Sequence, residues 1–172
     1  MTTTSSPTPI RPSAPTDPVD QLAWLVDRAR ISDLLVEFAR TLDDRDWQGN
    51  TALYMPDGIF MVGDVLRLQG HAQLAMTGSE RGLAQYHGTW HASSNHAIQI
   101  DGDTARTRSY LIGVHLLAGG TTHHADGGGW YDCTLQRTAD GWRFTTVRLH
   151  EVWHAGQALP HVSAKPDLAA TP

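Results

Sequence analysis

The chain has a single cysteine, Cys133, in 172 residues. That excludes an internal disulfide and a thiolate metal cluster, and it suits a cytoplasmic location. No run of Lys and Arg is present and the formal net charge is −5, so the footprint of a nucleic-acid partner is missing. No apolar run approaches the ~18 residues of a membrane span, so no membrane partner is expected. The N-terminus lacks a basic stretch followed by an apolar one, so no signal peptide is expected there. A Gly-rich phosphate loop, a nucleophile elbow and a dinucleotide fingerprint are also lacking, and no cofactor is expected.

What remains is the composition of a globular protein, 40% hydrophobic and 18% charged, of a size to bury about 70% of its unfolded surface. Residues 1–17 are rich in Thr, Ser and Pro. They hold too little apolar surface to fold and are expected to be a disordered tail. Residues 158–172 have the same character, which leaves one domain over residues 18–157. Histidine is abundant, with ten copies.

Asp17-Pro18 is a helix start, an N-cap followed by Pro at the first helical position. From there to Asp43 no further Gly or Pro occurs, and Ile31, Leu34, Leu35, Phe38 and Leu42 form one apolar stripe at helical spacing. Asp43, Asp44 and Asp46 then crowd the helix C-terminus, where acids oppose the macrodipole. One of them is expected to be kept for another purpose.

A short helix over 47–54 leads to Met55-Pro56-Asp57-Gly58, a turn signal. Residues 59–62 and 65–69 read as a hairpin around Gly63-Asp64. A short helix over 71–77 and a loop over 78–88 follow. Four strands come last, about 91–100, 104–117, 129–137 and 142–153, separated by Gly- and Asp-rich turns. Helices first and antiparallel strands afterwards imply an α+β fold. The long N-terminal helix is expected to lie on a curved, mostly antiparallel sheet as a cone-shaped barrel with an open mouth.

These pieces, in this order, resemble the SnoaL-like branch of the nuclear-transport-factor-2-like superfamily. The resemblance is carried by Arg30-Ile31-Ser32-Asp33-Leu34-Leu35 with Phe38, and by Leu42-Asp43 with Asp46-Trp47. It continues through Met55-Pro56-Asp57-Gly58, His91 with Asn95-His96, Asp101-Gly102-Asp103, Tyr131 and Asp140-Gly141-Trp142-Arg143-Phe144. Within the superfamily the chain is similar to scytalone dehydratase, bile-acid 7α-dehydratase and hexachlorocyclohexane dehydrochlorinase. The resemblance implies a carboxylate at the end of the first helix, here Asp43, and a histidine on the central strand, here His91. A second histidine facing the first maps to His115. Two tyrosines used by relatives are absent, with Phe38 and Leu42 in their places. A homodimer formed through the outer sheet face is also implied.

On chemical grounds, a carboxylate bonded to one imidazole nitrogen fixes the tautomer and makes the other nitrogen more basic. Asp43 and His91 are the expected catalytic pair, and His115 is an acid or a carbonyl polariser. A lone His among apolar neighbours also serves commonly as a structural residue. Phe38, Tyr54, Asn95, Arg148 and His150 are candidate substrate contacts. Alternation places Asn95 beside His91 with His96 on the opposite face, and Arg148 and His150 beside Trp142 and Phe144. His123, His124 and Asp126 read as a loop cluster, and no metal site is expected from them or from His87 and His91. These features imply a cofactor-free lyase or isomerase of the dehydratase type on a small hydrophobic, oxygenated metabolite such as a polyketide, steroid or terpenoid. A polyketide cyclase of the same fold and a non-catalytic binding module are the alternatives.

Overall fold

The computed structural model describes residues 9–157; the tail expectations for residues 1–8 and 158–172 lie outside them. Helix α1 spans Pro18–Asp43, and its first turn is capped by the Asp17 side chain, which accepts from the Val19 N–H. Its buried side is Ile31, Leu35, Phe38, Ala39, Thr41 and Leu42, the expected stripe, with Asp27 as an added buried acid. Helix α2 (Trp47–Ala52) follows at once. Its N-cap is Asp46, whose side chain accepts from the Gly49 N–H.

Six strands complete the fold: β1 (Tyr54–Val62), β2 (Leu66–Gln69), β3 (Gly88–Asp101), β4 (Thr104–Leu116), β5 (His124–Thr138) and β6 (Gly141–Gly156). A short helix α3 (Gly70–Leu74) and 3-10 turns at Ala75–Gly78 and Leu83–Gln85 lie between β2 and β3. The sheet order is β2-β1-β6-β5-β4-β3, and it is not closed. All neighbours are antiparallel except β1 and β6, which run parallel. The curved sheet and α1 enclose a core of Ile31, Leu35, Phe38, Ile98, Leu135, Phe144 and Val147. No helix among the described residues is long and apolar enough to cross a membrane.

Three expectations need correction. Met55-Pro56-Asp57-Gly58 is not a free turn but an irregular part of β1. Tyr54 pairs with Phe144 and Ile59 with Thr146, so the extra residues bulge out of the ladder. Strand β5 begins five residues earlier than Gly129, taking in Gly127 and Gly128, because backbone pairing to β4 continues where side chains are missing. His124 and Asp126 are therefore strand residues, 2.8 Å apart, rather than part of a loop.

The third correction concerns faces. A register shift lies between Ser94 and Ala97, where Asn95 takes a left-handed φ of 53°. Another lies opposite Thr134 and Leu135, where Thr145 is the extra residue of β6. Each inserted residue reverses the alternation beyond it. His96 consequently faces α1, where its Nδ1 is 2.8 Å from the Ser32 hydroxyl. Beyond the second shift the core face of β6 passes from Phe144 to Val147 and Leu149, and Arg148 and His150 point outward.

One polar clamp ties α1 to the sheet. Arg137 donates to both carboxylate oxygens of Asp27 at 2.7 Å, and the Trp142 indole N–H donates to the same group at 3.1 Å. The guanidinium also lies over the Trp142 ring, 4.4 Å from its centroid. The Arg137 hydrogen bond outweighs the burial that would raise the Asp27 pKa, so the carboxyl titrates below its ordinary range. Asp27→Ala should lower stability by about 2–3 kcal/mol, since it leaves Arg137 and the indole without their shared acceptor. Chemical denaturation should show an earlier midpoint with an unchanged slope; an unchanged midpoint would show that the clamp contributes nothing.

Candidate active site

The last turn of α1 carries Asp43 to the edge strand β3. One carboxylate oxygen is 2.6 Å from His91 Nδ1 and also accepts from the Thr89 hydroxyl at 2.9 Å. The other accepts from the backbone N–H of His91 at 2.8 Å. The two residues are 48 positions apart in the chain, and the His91 side chain is 6% exposed. A carboxylate only accepts, so Nδ1 carries the proton and Nε2 of the neutral ring is the basic atom.

Burial on its own would raise the Asp43 pKa. The His91 ring, the His91 amide and the Thr89 hydroxyl reverse that effect and hold it below the ordinary value of 3.8. The other acids of the cluster have separate partners. Asp44 pairs with Arg40 at 2.5 Å, and Asp46 caps α2.

His91, with Asp43 behind it, lines one side of a cavity of about 240 Å³ beneath α1 and the α3–β3 connection. Phe38, Leu42, Tyr54, Phe60, Leu111, Tyr131 and Leu149 give it apolar walls. His115 lines it too, 8% exposed, with its Nδ1 donating to the Ala125 carbonyl at 2.9 Å. The rings of His91 and His115 meet edge to face, with centroids 5.3 Å apart. Gly113 makes this approach possible. A Cβ there would lie 3.2 Å from His115 Cε1 and 3.3 Å from His91 Cδ2.

Of the candidate substrate contacts, Phe38 and Tyr54 line the cavity. Asn95, Arg148 and His150 do not. Asn95 is exposed at its bulge. Arg148 reaches Asp64 and Met61 Sδ, both at 3.5 Å, and His150 stacks on Trp130 and lies 3.1 Å from Asp132. All three were assigned to the pocket by unbroken alternation, which the two bulges interrupt.

Sequence reasoning also passed over several lining residues: Asn50, Gly113, Gly127 and Glu151. Asn50 donates to the Thr41 hydroxyl at 2.9 Å and braces the end of α1. The signal that could have found the glycines is the run Gly127-Gly128-Gly129, since glycine within a strand marks a bulge or a close approach. Among the described residues no group of three His, Cys, Asp or Glu side chains could hold a metal ion.

A helix laid on an open curved sheet, with polar groups gathered inside the cone, defines the nuclear-transport-factor-2-like class. Residues 24–148 match the model of the SnoaL-like domain family, and the chain belongs to that family. An uncharacterized protein of Mycobacterium tuberculosis is 27% identical over 122 residues, covering 71% of this chain and 83% of that protein. Among solved structures, a candidate scytalone dehydratase from Novosphingobium aromaticivorans superposes with a TM-score of 0.73 at 19% identity, covering 86% of this chain and 97% of that one. A hexachlorocyclohexane dehydrochlorinase from Novosphingobium barchaimii gives 0.70 at 17%, covering 81% and 96%. At these identities the likeness shows a shared fold.

The Asp43 contact makes a pH-dependent prediction. Its folded pKa is depressed, so its contribution to stability is full above the ordinary value of 3.8 and disappears as pH falls through the folded value. The stability gap between wild type and Asp43→Asn should therefore be wide near about pH 6 and shrink below about pH 4. A gap constant over that range in urea titrations would contradict the stabilisation of an ionised Asp43 by its three donors.

Proposed function

We propose that the protein is a cofactor-independent lyase of the dehydratase type, or an isomerase sharing its first step. The observation that carries this reading is the 2.6 Å contact between Asp43 and His91 at the wall of an apolar cavity. His91 Nε2 takes a proton from a carbon next to a carbonyl, and Asp43 stabilises the imidazolium that results. The carbon–hydrogen electron pair becomes the new double bond as the neighbouring carbon–oxygen bond breaks. His115, beside His91, keeps its Nδ1 proton on the Ala125 carbonyl and, entering the step doubly protonated, gives its Nε2 proton to the departing hydroxyl, so water leaves and the ring ends neutral. Without a leaving group, the same base yields an enolate that can be reprotonated elsewhere or closed onto a second carbonyl, as in a polyketide cyclase.

Support comes from the family and from the names of its neighbours. A dehydratase and a dehydrochlorinase share this fold, and both names denote elimination. A binding module needs no carboxylate buried against an imidazole, and such a pair is characteristic of tuned catalytic bases. The apolar walls suit a small hydrophobic molecule with a few oxygens.

Elimination from cyclic β-hydroxy ketones, followed by the absorbance of the conjugated product, tests this reading. His91→Ala should lower kcat by about 10²–10⁴-fold, the range of a general base. Asp43→Asn should also lose activity, because the ring then loses its negative partner. Near-wild-type turnover by His91→Ala would sink the assignment.

We further propose that two copies pair through the convex face of the sheet. Trp90, Tyr110, Ile112 and Trp153 are all more than 40% exposed there, on β3, β4 and β6. An apolar patch of this kind is uncommon on a monomer. The wild type should sediment at twice the chain mass, and Ile112→Glu at the chain mass. A monomeric wild type would refute pairing.

A further inference from the structure

The floor of the cavity has an unusual distribution of side chains. His91 of β3 pairs with Gly113 of β4, Gly113 with Gly127 of β5, and Gly127 with His154 of β6. Residues paired directly across strands project to one face. The adjoining row runs Ser93, Leu111, Gly129 and Glu151. Two positions in the middle of the floor, Gly113 and Gly127, are bare backbone. With strands ~4.8 Å apart, His91 and the β6 residues stand roughly 14 Å apart across three spacings.

Glu151 occupies the far side. Its side chain is 11% exposed, it lines the cavity, and its carboxylate lies 3.4 Å from His154 Nδ1. A register shift opposite Gly128 and Gly129 makes Val152 the extra residue of β6. Glu151 and His154 thereby share the inner face although they are three positions apart. The His154 imidazole beside Glu151 is itself 54% exposed. A carboxylate on the inner face of the cavity offers only acceptor oxygens, so it selects a donor on whatever lies against it.

We propose that Glu151, backed by His154, is a specificity-determining residue that accepts a hydrogen bond from a hydroxyl on a flat ring substrate. The ring lies over Gly127, beside the imidazoles that border Gly113, with its reacting carbon toward His91 and its hydroxyl at the opposite end. The bare floor admits a planar face where any side chain would lift it away from the strands. Anchoring at Glu151 then determines which carbon meets His91. This assignment rests on reading the cavity as a substrate site, but not on the identity of the base.

Binding of matched naphthalenes to the full chain, followed by calorimetry, tests it. The wild type should prefer 2-naphthol to 2-methoxynaphthalene by about tenfold or more, the range of a charge-assisted hydrogen bond. Glu151→Leu should remove the preference by weakening 2-naphthol alone, and Glu151→Gln, which keeps the size, should narrow it. His91→Ala should retain the preference, which separates this proposal from the catalytic assignment. Equal affinities in the wild type, no binding of either compound, or a preference that persists in both Glu151 variants would overturn it. So would tighter binding of 2-naphthoate, because Arg81 at the cavity wall would then be the anchor.

Discussion

Three hydrogen bonds from two residues of one edge strand converge on the Asp43 carboxylate, and the organisation of the site depends on them. A negative charge at a helix C-terminus meets the unfavourable end of the macrodipole, and burial adds a desolvation cost. A backbone N–H, a hydroxyl and an imidazole together offset both. In return the end of α1 is fixed to β3 at the point where the cone opens, and the ring of His91 is held in one tautomer. The same contact therefore positions a helix and orients an imidazole.

Much of this was legible in the chain. The stripe from Ile31 to Leu42 needs only a helical period to be seen. Asp43 stood out because it conflicts with the macrodipole, and His91 because a strand entering a core seldom carries so many titratable groups. The faces beyond the bulges were not legible. Alternation is a rule for an unbroken ladder, and a single inserted residue at Asn95 or Thr145 reverses it. Neither residue announces a bulge by its type. Asn tolerates a left-handed φ, but it is equally at home in a turn. Unbroken alternation separates His96 from the face of His91 and puts Arg148 and His150 beside Phe144, and the structure reverses all three relations.

The division of labour between glycines and aromatics follows from the same geometry. Phe38, Tyr54, Tyr131 and Phe144 pack edge to face or tilted, with centroids 5.5–6.2 Å apart, and close one end of the cone. Such packing is dense and leaves little room for a ligand. The open volume lies between this packing and the stretch where β4 and β5 carry Gly113 and Gly127. Close packing at one end and missing side chains at the other allow a chain of this size to keep both a core and a cavity.

The neighbouring imidazoles of His91 and His115 divide the work of carrying charge. Two positive charges 5.3 Å apart would repel by about 3 kcal/mol at an effective dielectric of 20. The pair of rings is therefore best suited to a single extra proton. Asp43 places its negative charge against His91, whereas His115 Nδ1 meets the neutral carbonyl of Ala125. The two rings thus meet unlike partners, and an extra proton on one of them disfavours a second on the other.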